Sequence, residues 1–336
     1  MRPRTKLIAI VVTMAVLLGL NQVVEYGFGE FQVNPYYARI INLVGINITL
    51  AVSLNLINGL AGQFSIGHAG FMAVGGYAAT YLTVYHGQEL AGLAGTTLAT
   101  GLGASVAMAF SLLVGACAAA AAGLAVGIPS LRLKGDYLAI VTLGFSEIIR
   151  VVILNIPAVG GATGFTDAIP ITNFFWIFAM AILAIVVVRN IASSTFGRAL
   201  AAIRGDEIAA EAMGVRTTRY KVLAFVISAA FAGVAGGLSG QLFANPLNPQ
   251  NLNFVKSIEV IVMIVLGGIG STTGAVFGAT ALTILPEALR PVDRQFPGLR
   301  MVIYALVLIL LMIFRPQGVF GRRELGWQWL RVRRSR

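Results

Sequence analysis

Residues 256–285 read KSIEVIVMIVLGGIGSTTGAVFGATALTIL. One transmembrane helix needs about 20 apolar residues. This window is about 30 long, and GGIGSTTG (267–274) interrupts its middle. Clusters of Gly, Ser and Thr between periodic segments mark turns. The stretch therefore reads as two short helices joined by a Gly-rich hairpin, with Gly267, Gly268 and Gly270 at the break. Working outward, apolar windows lie near 7–25, 38–58, 64–85, 97–127, 137–156, 173–189, 221–243 and 299–314. Together with the split window they predict about ten crossings, an even number that returns the chain to the side where it began.

Composition agrees with that count. The chain is 57% hydrophobic with 11% charged residues and a mean hydropathy of +0.85, where a soluble domain carries about 25% charge. An all-α polytopic integral membrane protein follows, with 1–336 as a single transmembrane domain in a lipid bilayer. The net charge of +11 is no nucleic-acid signature, because the basic residues gather in short connections between apolar segments, as the positive-inside rule demands. MRPRTK followed by LIAIVVTMAVLLGL has the layout of a secretory signal, but no small-residue cleavage site follows. It reads as a retained first helix with Arg2, Arg4 and Lys6 cytoplasmic. The tail 315–336 carries seven arginines and one glutamate and is expected on the same side.

The connections then sort by side. Glu25, Glu30, residues 86–92 and the Gly/Pro-rich 157–172 fall outside; PSLRLKGD (129–136) and the long loop 189–221 fall inside. Arg290, Arg294 and Arg300 are the exception, since the count places them outside. Glycine makes up 39 of 336 residues, above the usual share of about 7%. Several recur at four-residue spacing: Gly123 and Gly127, Gly233 and Gly237, Gly236 and Gly240, then Gly270, Gly274 and Gly278. Such spacing flattens one helix face so that backbones approach closely. The lone Cys117, in an alanine-rich run, reads as a small packing residue.

Two intramembrane features are unsuited to lipid. GLAGQFSIGHAGFMAVGGYAA (59–79) holds six glycines, and irregular backbone at membrane depth is tolerated only where protein buries it or where it lines a cavity. It predicts a cytoplasm-facing turn and an irregular helix start around Gly62, Gly67 and Gly70, with Gln63, Ser65 and His68 turned into the bundle or the translocation route. Packing between helices and lining of the pathway both stay open. No Cys, Asp or second His lies at ligand spacing from His68, so neither a metal nor another cofactor is expected. The second feature is Glu147 with Arg150 in TLGFSEIIRVV. Ionisable groups at membrane depth cost about 2.5 to 3.5 kcal/mol each, and i,i+3 spacing permits an ion pair on one face. Pairing is the simpler role; holding a zwitterionic substrate is the alternative.

The loop 189–221, RNIASSTFGRALAAIRGDEIAAEAMGVRTTRYK, is 33 residues long where the other connections are short. Ala199, Ile203, Ala210 and Met213 recur at helical spacing, while Arg204, Asp206, Glu207 and Glu211 supply polar faces. A short helix from about Arg198, a turn at Gly205 and a second helix ending at Gly214 follow. Such a pair either lies on the membrane surface or docks a cytosolic partner.

The run Glu207, Ala209, Ala210 and Gly214 resembles the coupling loop of ABC importer permeases, written E-A-A, three residues, G, with one extra residue after the glutamate and no following LP. GLAGQFSIGHAGFMAVGGYAA, LRLKGDYLAIVTLGFSEIIRVV, TFGRALAAIRGDEIAAEAMGV and VLGGIGSTTGAVFGA, in that order, are similar to the larger permease of branched-chain amino acid importers. The resemblance implies a bacterial inner-membrane importer with a second homologous permease, two cytoplasmic ATP-binding subunits and an extracytoplasmic amino-acid-binding protein. Urea and short-amide importers share these blocks. Consistent with ATP hydrolysis residing in separate subunits, the chain has no G-x-x-x-x-G-K-[ST] phosphate loop, and LSGQ (238–241) ends an apolar helix without a nucleotide fold around it. An ion-coupled transporter would use broken helices at mid-membrane but has no need of the 189–221 loop. An intramembrane hydrolase built on Ser146 would have only His68 and His86 as base, both upstream of it.

Overall fold

The computed structural model describes residues 3–26, 34–93, 95–98, 101–131, 136–242, 247–291, 298–315, 317–321 and 324. Twelve α-helices occur among them: α1 (Pro3–Asn21), α2 (Pro35–Asn55), α3 (His68–Gly92), α4 (Gly101–Ser130), α5 (Asp136–Leu154), α6 (Phe174–Ser193), α7 (Thr195–Gly205), α8 (Glu207–Ala212), α9 (Thr217–Gly240), α10 (Phe254–Gly267), α11 (Thr272–Ala288) and α12 (Leu299–Phe314). Setting aside α7 and α8 leaves ten, in line with the expected count. Six apolar stretches have the length and composition to cross a membrane, and α1 and α12 contribute shorter ones. Extended pairing among the described residues is limited to an isolated bridge between Phe165 and Leu247.

The window 256–285 divides as the glycines predicted. α10 ends at Gly267, Gly268 and Gly270 take φ of 116° and 95°, and Ser271 caps α11 by accepting a hydrogen bond from Gly274 N at 3.0 Å. α3 is longer than its apolar window. It continues through 86–92 to Gly92, where His86 Nδ1 meets Glu89 Oε2 at 3.0 Å one helical turn on. The apolar count stopped where hydrophobicity stopped, but a helix carries on past the lipid once its exposed side chains are polar.

α2 is the central helix. It is buried along most of its length and holds Asn42, Asn47, Thr49, Ser53 and Asn55 inside the protein, with α6, α9, α10 and α11 packed around it. Beside it, α3, α4 and α9 form a second unit held by backbone contact. A Cβ at Gly75 (α3) would overlap the Gly233 backbone (α9), one at Gly115 (α4) would lie 2.7 Å from Gly75 O, and one at Gly236 (α9) would overlap Met72 O (α3). Gly237 and Gly240 continue the same face onto Ala79 and Thr80. Gln241, the last residue of LSGQ, is fully buried; it accepts from Thr83 Oγ1 at 3.2 Å and donates to Ser111 Oγ at 3.3 Å. It stitches these three helices together.

The two ends of the bundle sort by contact. At one end the turn after α2 meets α7 and the α10–α11 hairpin, and the hairpin in turn bonds Val319, Phe320 and Glu324. At the other, Tyr36 donates to Glu287 Oε2 at 2.6 Å and the Arg290 guanidinium lies 5.0 Å above the Tyr36 ring. Arg290 is thus at the end away from α7 and α8, as the ten-helix count requires. Arg294 and most of the basic tail lie outside the described residues, as does the centre of 129–136.

Gly233→Ala and Gly144→Ala gain the same helix propensity, yet a Cβ at Gly233 would run into Ala119 and Gly115 whereas one at Gly144 meets nothing within 4 Å. Overpacking costs about 1 to 3 kcal/mol. Thermal unfolding in detergent is expected to show a lower Tm for Gly233→Ala alone; equal values would remove the backbone contact as a stabilising feature.

Candidate functional site

α2 does not end cleanly. It passes into a π-helical turn at Leu56–Leu60, Gly62 adopts φ of 67°, and regular helix resumes only at His68. Lost ladder bonds are replaced by side chains. Asn58 acts as a backbone surrogate, accepting from Ser65 N at 3.1 Å and donating to Ser65 O at 3.3 Å. Thr142 of α5 accepts from Ile66 N at 3.1 Å, and Ser257 of α10 accepts from Ala69 N at 2.9 Å. His68 is buried with Nε2 3.0 Å from Ser53 Oγ, and Ser228 of α9 donates to Ser53 O at 2.6 Å.

Ser65 and His68 thus face the interior, whereas Gln63 is half-buried at the surface, its amide reaching only Ala61 O at 3.5 Å. Gly67 and Gly70 lie against α5: a Cβ at Gly67 would overlap Thr142 O, and one at Gly70 would stand 2.8 Å from Ser146 Cα. Gly267 closes against Gly274, and Gly268 lies beneath Gly318 and Gly321. Ser65, Gly67, His68, Gly70, Gly267 and Gly268 are buried, Gln63 and Gly270 are half-buried, and Gly62 and Phe64 are exposed.

The second half of the site is the α7–α8 loop. Ser194 caps α7 by accepting from Gly197 N at 3.3 Å; Asp206 caps α8, accepting from Ile208 N at 2.9 Å and Ala209 N at 3.0 Å. Gly214, with φ of 84°, ends it. Leu200, Ile203 and Ala210 form the buried face. Met213 departs from the expected pattern. It follows the last residue of α8 and is 85% exposed, and Ile208 is 71% exposed.

Of the loop's charges, Asp206 and Glu211 are exposed and Arg204 and Glu207 half-buried, and three of the four are also bonded to other parts of the bundle. Glu207 pairs at 2.6 Å with Lys221, whose side chain is buried at the start of α9, and Glu211 accepts from Thr217 Oγ1 at 2.6 Å. Arg204 donates to Gly59 O at the end of α2. Arg198 remains exposed. A loop that leaves the bilayer for a few turns has too small a core of its own, so its charges hold it to the bundle. Lys221 is the residue that spacing did not single out; a cation at the head of an apolar helix, 14 positions after a glutamate, was the available signal.

On α5, Arg150 Nε donates to Glu147 Oε2 at 2.7 Å, with the two side chains 26% and 28% exposed. Glu147 Oε1 is buried with no hydrogen-bond partner among the described residues. Among those residues no three His, Cys, Asp or Glu side chains converge as a metal site would need. The arrangement is a membrane bundle with one broken helix and one structured loop that meet at the same end.

Comparison with known proteins decides the family. The family model described as "Branched-chain amino acid transport system / permease component" matches residues 36–312. The chain belongs to that family. It is 33% identical over 326 residues to the high-affinity branched-chain amino acid transport system permease protein LivM of Escherichia coli, covering 86% of this chain and 71% of that one. The probable branched-chain amino acid transport permease protein LivM of Methanocaldococcus jannaschii is 25% identical over 318 residues, 84% of this chain and 92% of that one. The Escherichia coli permease protein LivH is 38% identical over 150 residues, 44% of this chain and 47% of its own length. No solved structure matches. The chain is accordingly a multi-pass membrane permease component.

Removing one member of a partly buried ion pair leaves its partner's charge uncompensated, while an apolar replacement of both is often near neutral. Glu147→Leu is therefore expected to lower the yield of folded permease more than Glu147→Leu with Arg150→Leu. Equal yields from the two, read by size-exclusion chromatography in detergent, would mean that the pair is not a unit.

Proposed function

We propose that the chain is the membrane subunit of an ATP-driven importer for branched-chain amino acids, forming the translocation pathway with a second, homologous permease by alternating access. Two cytoplasmic ATP-binding subunits act on the α7–α8 loop, and an extracytoplasmic amino-acid-binding protein delivers substrate at the Tyr36–Glu287 end. Both termini are then cytoplasmic, in a bacterial inner membrane.

The observation that carries this reading is the exposure of Ile208 and Met213 on a loop that Arg204, Glu207 and Glu211 already tie to the bundle. Beside Met213 a cavity of about 510 Å³ is lined by Phe196, Arg216, Arg219, Tyr220 and Leu223. Exposed apolar anchors beside a pocket with a cationic rim suit insertion into a protein groove, since a few central apolar side chains dominate association energy. The aliphatic substrate fits a division of labour as well. Burying one CH₂ yields only about 0.8 kcal/mol, so a permease relying on a separate binding protein for selection needs no deep substrate pocket of its own.

Co-expression with the candidate partners tests the reading. The chain should co-purify with two ATPase subunits and a second permease, and the reconstituted complex should take up leucine on ATP and the binding protein, not on an ion gradient. Uptake of urea in place of leucine would move the substrate class. Ile208→Asp and Met213→Asp are each expected to weaken ATPase capture about tenfold or more while leaving the folded bundle intact; unchanged capture in both would remove this loop as the docking surface.

A further inference from the structure

Arg204 belongs to the loop by sequence and to the helix break by contact. Its guanidinium donates to Gly59 O, in the π-helical turn where α2 has run out of ladder donors. Its stem crosses Gly62, with Cγ 2.7 Å from the point a Cβ there would occupy, and Nη1 lies 2.9 Å from the equivalent point at Gly270. Gly62 and Gly270 both have positive φ, so backbone geometry and the space for Arg204 call for the same residue. The junction has a third arm. Asn55 Oδ1 accepts from Gly270 N at 2.8 Å, and a Cβ at Gly59 would stand 2.7 Å from that nitrogen. One side chain of α7 therefore touches the end of α2, the turn before α3 and the tip of the α10–α11 hairpin.

α8 is attached elsewhere, to α9 through Glu207–Lys221 and Glu211–Thr217. Movement of the loop thus has two separate routes into the bundle. We infer that Arg204 is a positioning residue that carries displacement of α7 to the break at the end of α2 and to the α10–α11 hairpin. The inference rests on the reading of α7–α8 as the loop on which ATPase subunits act. A charge-assisted hydrogen bond is short and directional, which is what passing a displacement to a turn requires; the apolar contacts of Leu200 and Ile203 can slide.

The test uses the full chain with Cys117→Ser, because Cys117 is exposed, and a reporter cysteine at Ser65, which is 1% exposed and held by Asn58. Arg204→Gln and Arg204→Lys are compared in the assembled complex. Loss of the junction in Arg204→Gln should raise the reaction rate of the residue-65 thiol with a water-soluble maleimide about tenfold, and Arg204→Lys should stay within about threefold of the parent because it keeps a cationic donor. In vesicles Arg204→Gln should still hydrolyse ATP while substrate moved per ATP falls about tenfold, with Arg204→Lys restoring most of it. Unchanged thiol reactivity in Arg204→Gln overturns the junction. Faster labelling with normal uptake per ATP overturns its transmitting role, as does loss of ATPase capture with labelling unchanged, which would make Arg204 a docking residue. Should the parent complex neither capture ATPases nor use ATP, the functional reading fails, and with it the transmitting role; the labelling comparison still decides whether Arg204 holds the break.

Discussion

Lipid offers no hydrogen bonds, so a chain that crosses it must satisfy every backbone group from within. The long helices do this by their own ladders. The interest lies where the ladder stops, between Leu56 and His68, because each lost bond there must be replaced by a side chain from somewhere else in the fold. Asn58, Thr142, Ser257 and Arg204 supply those replacements from α2's own turn, α5, α10 and α7. A broken helix is thereby the point at which distant elements are obliged to meet.

Such convergence requires helices to come close, and small residues permit it. With lipid tails as apolar as any core side chain, helix association inside a membrane depends on van der Waals contact and interhelical hydrogen bonds. The glycines of α3, α4 and α9 bring backbone onto backbone, leaving Gln241, Thr83 and Ser111 to hydrogen-bond across the gap. α2 uses the other option, with Asn47 donating to Thr283 at 2.8 Å and accepting from Lys256 at 3.3 Å. One unit is fixed by shape and the other by polarity, and the break joins them.

What could be read from the sequence follows the range of the forces involved. The hairpin within 256–285, the irregular start before His68 and the two short helices of the loop are set by local chemistry: glycines at positive φ, caps at Ser194, Asp206 and Ser271, apolar periodicity. Gly233 and Gly236 could be identified as close-approach positions for the same reason. The partners could not. Nothing near Arg204 in the chain points to Gly59, 145 positions away, and the Glu207–Lys221 pair bridges two elements that periodicity treats separately. Exposure misled too: Met213 fits an apolar stripe by spacing, but α8 stops one residue before it.

That arrangement, with Arg204, Glu207 and Glu211 tied to the bundle while Ile208 and Met213 stay exposed, is what a loop bearing mechanical load would need. A helix of six residues, Glu207–Ala212, is too short to be stable on its own. If its charges were given to a partner, it would be ordered only when bound, and a displacement at its surface would be absorbed in the loop's own rearrangement. With Asp206 capping it, Glu207 and Glu211 holding it to α9, and Arg204 holding α7 to the break, the loop is ordered before any partner arrives. A push on Ile208 or Met213 would then meet a loop with little slack, tied through Arg204 to the π-helical turn at Leu56–Leu60.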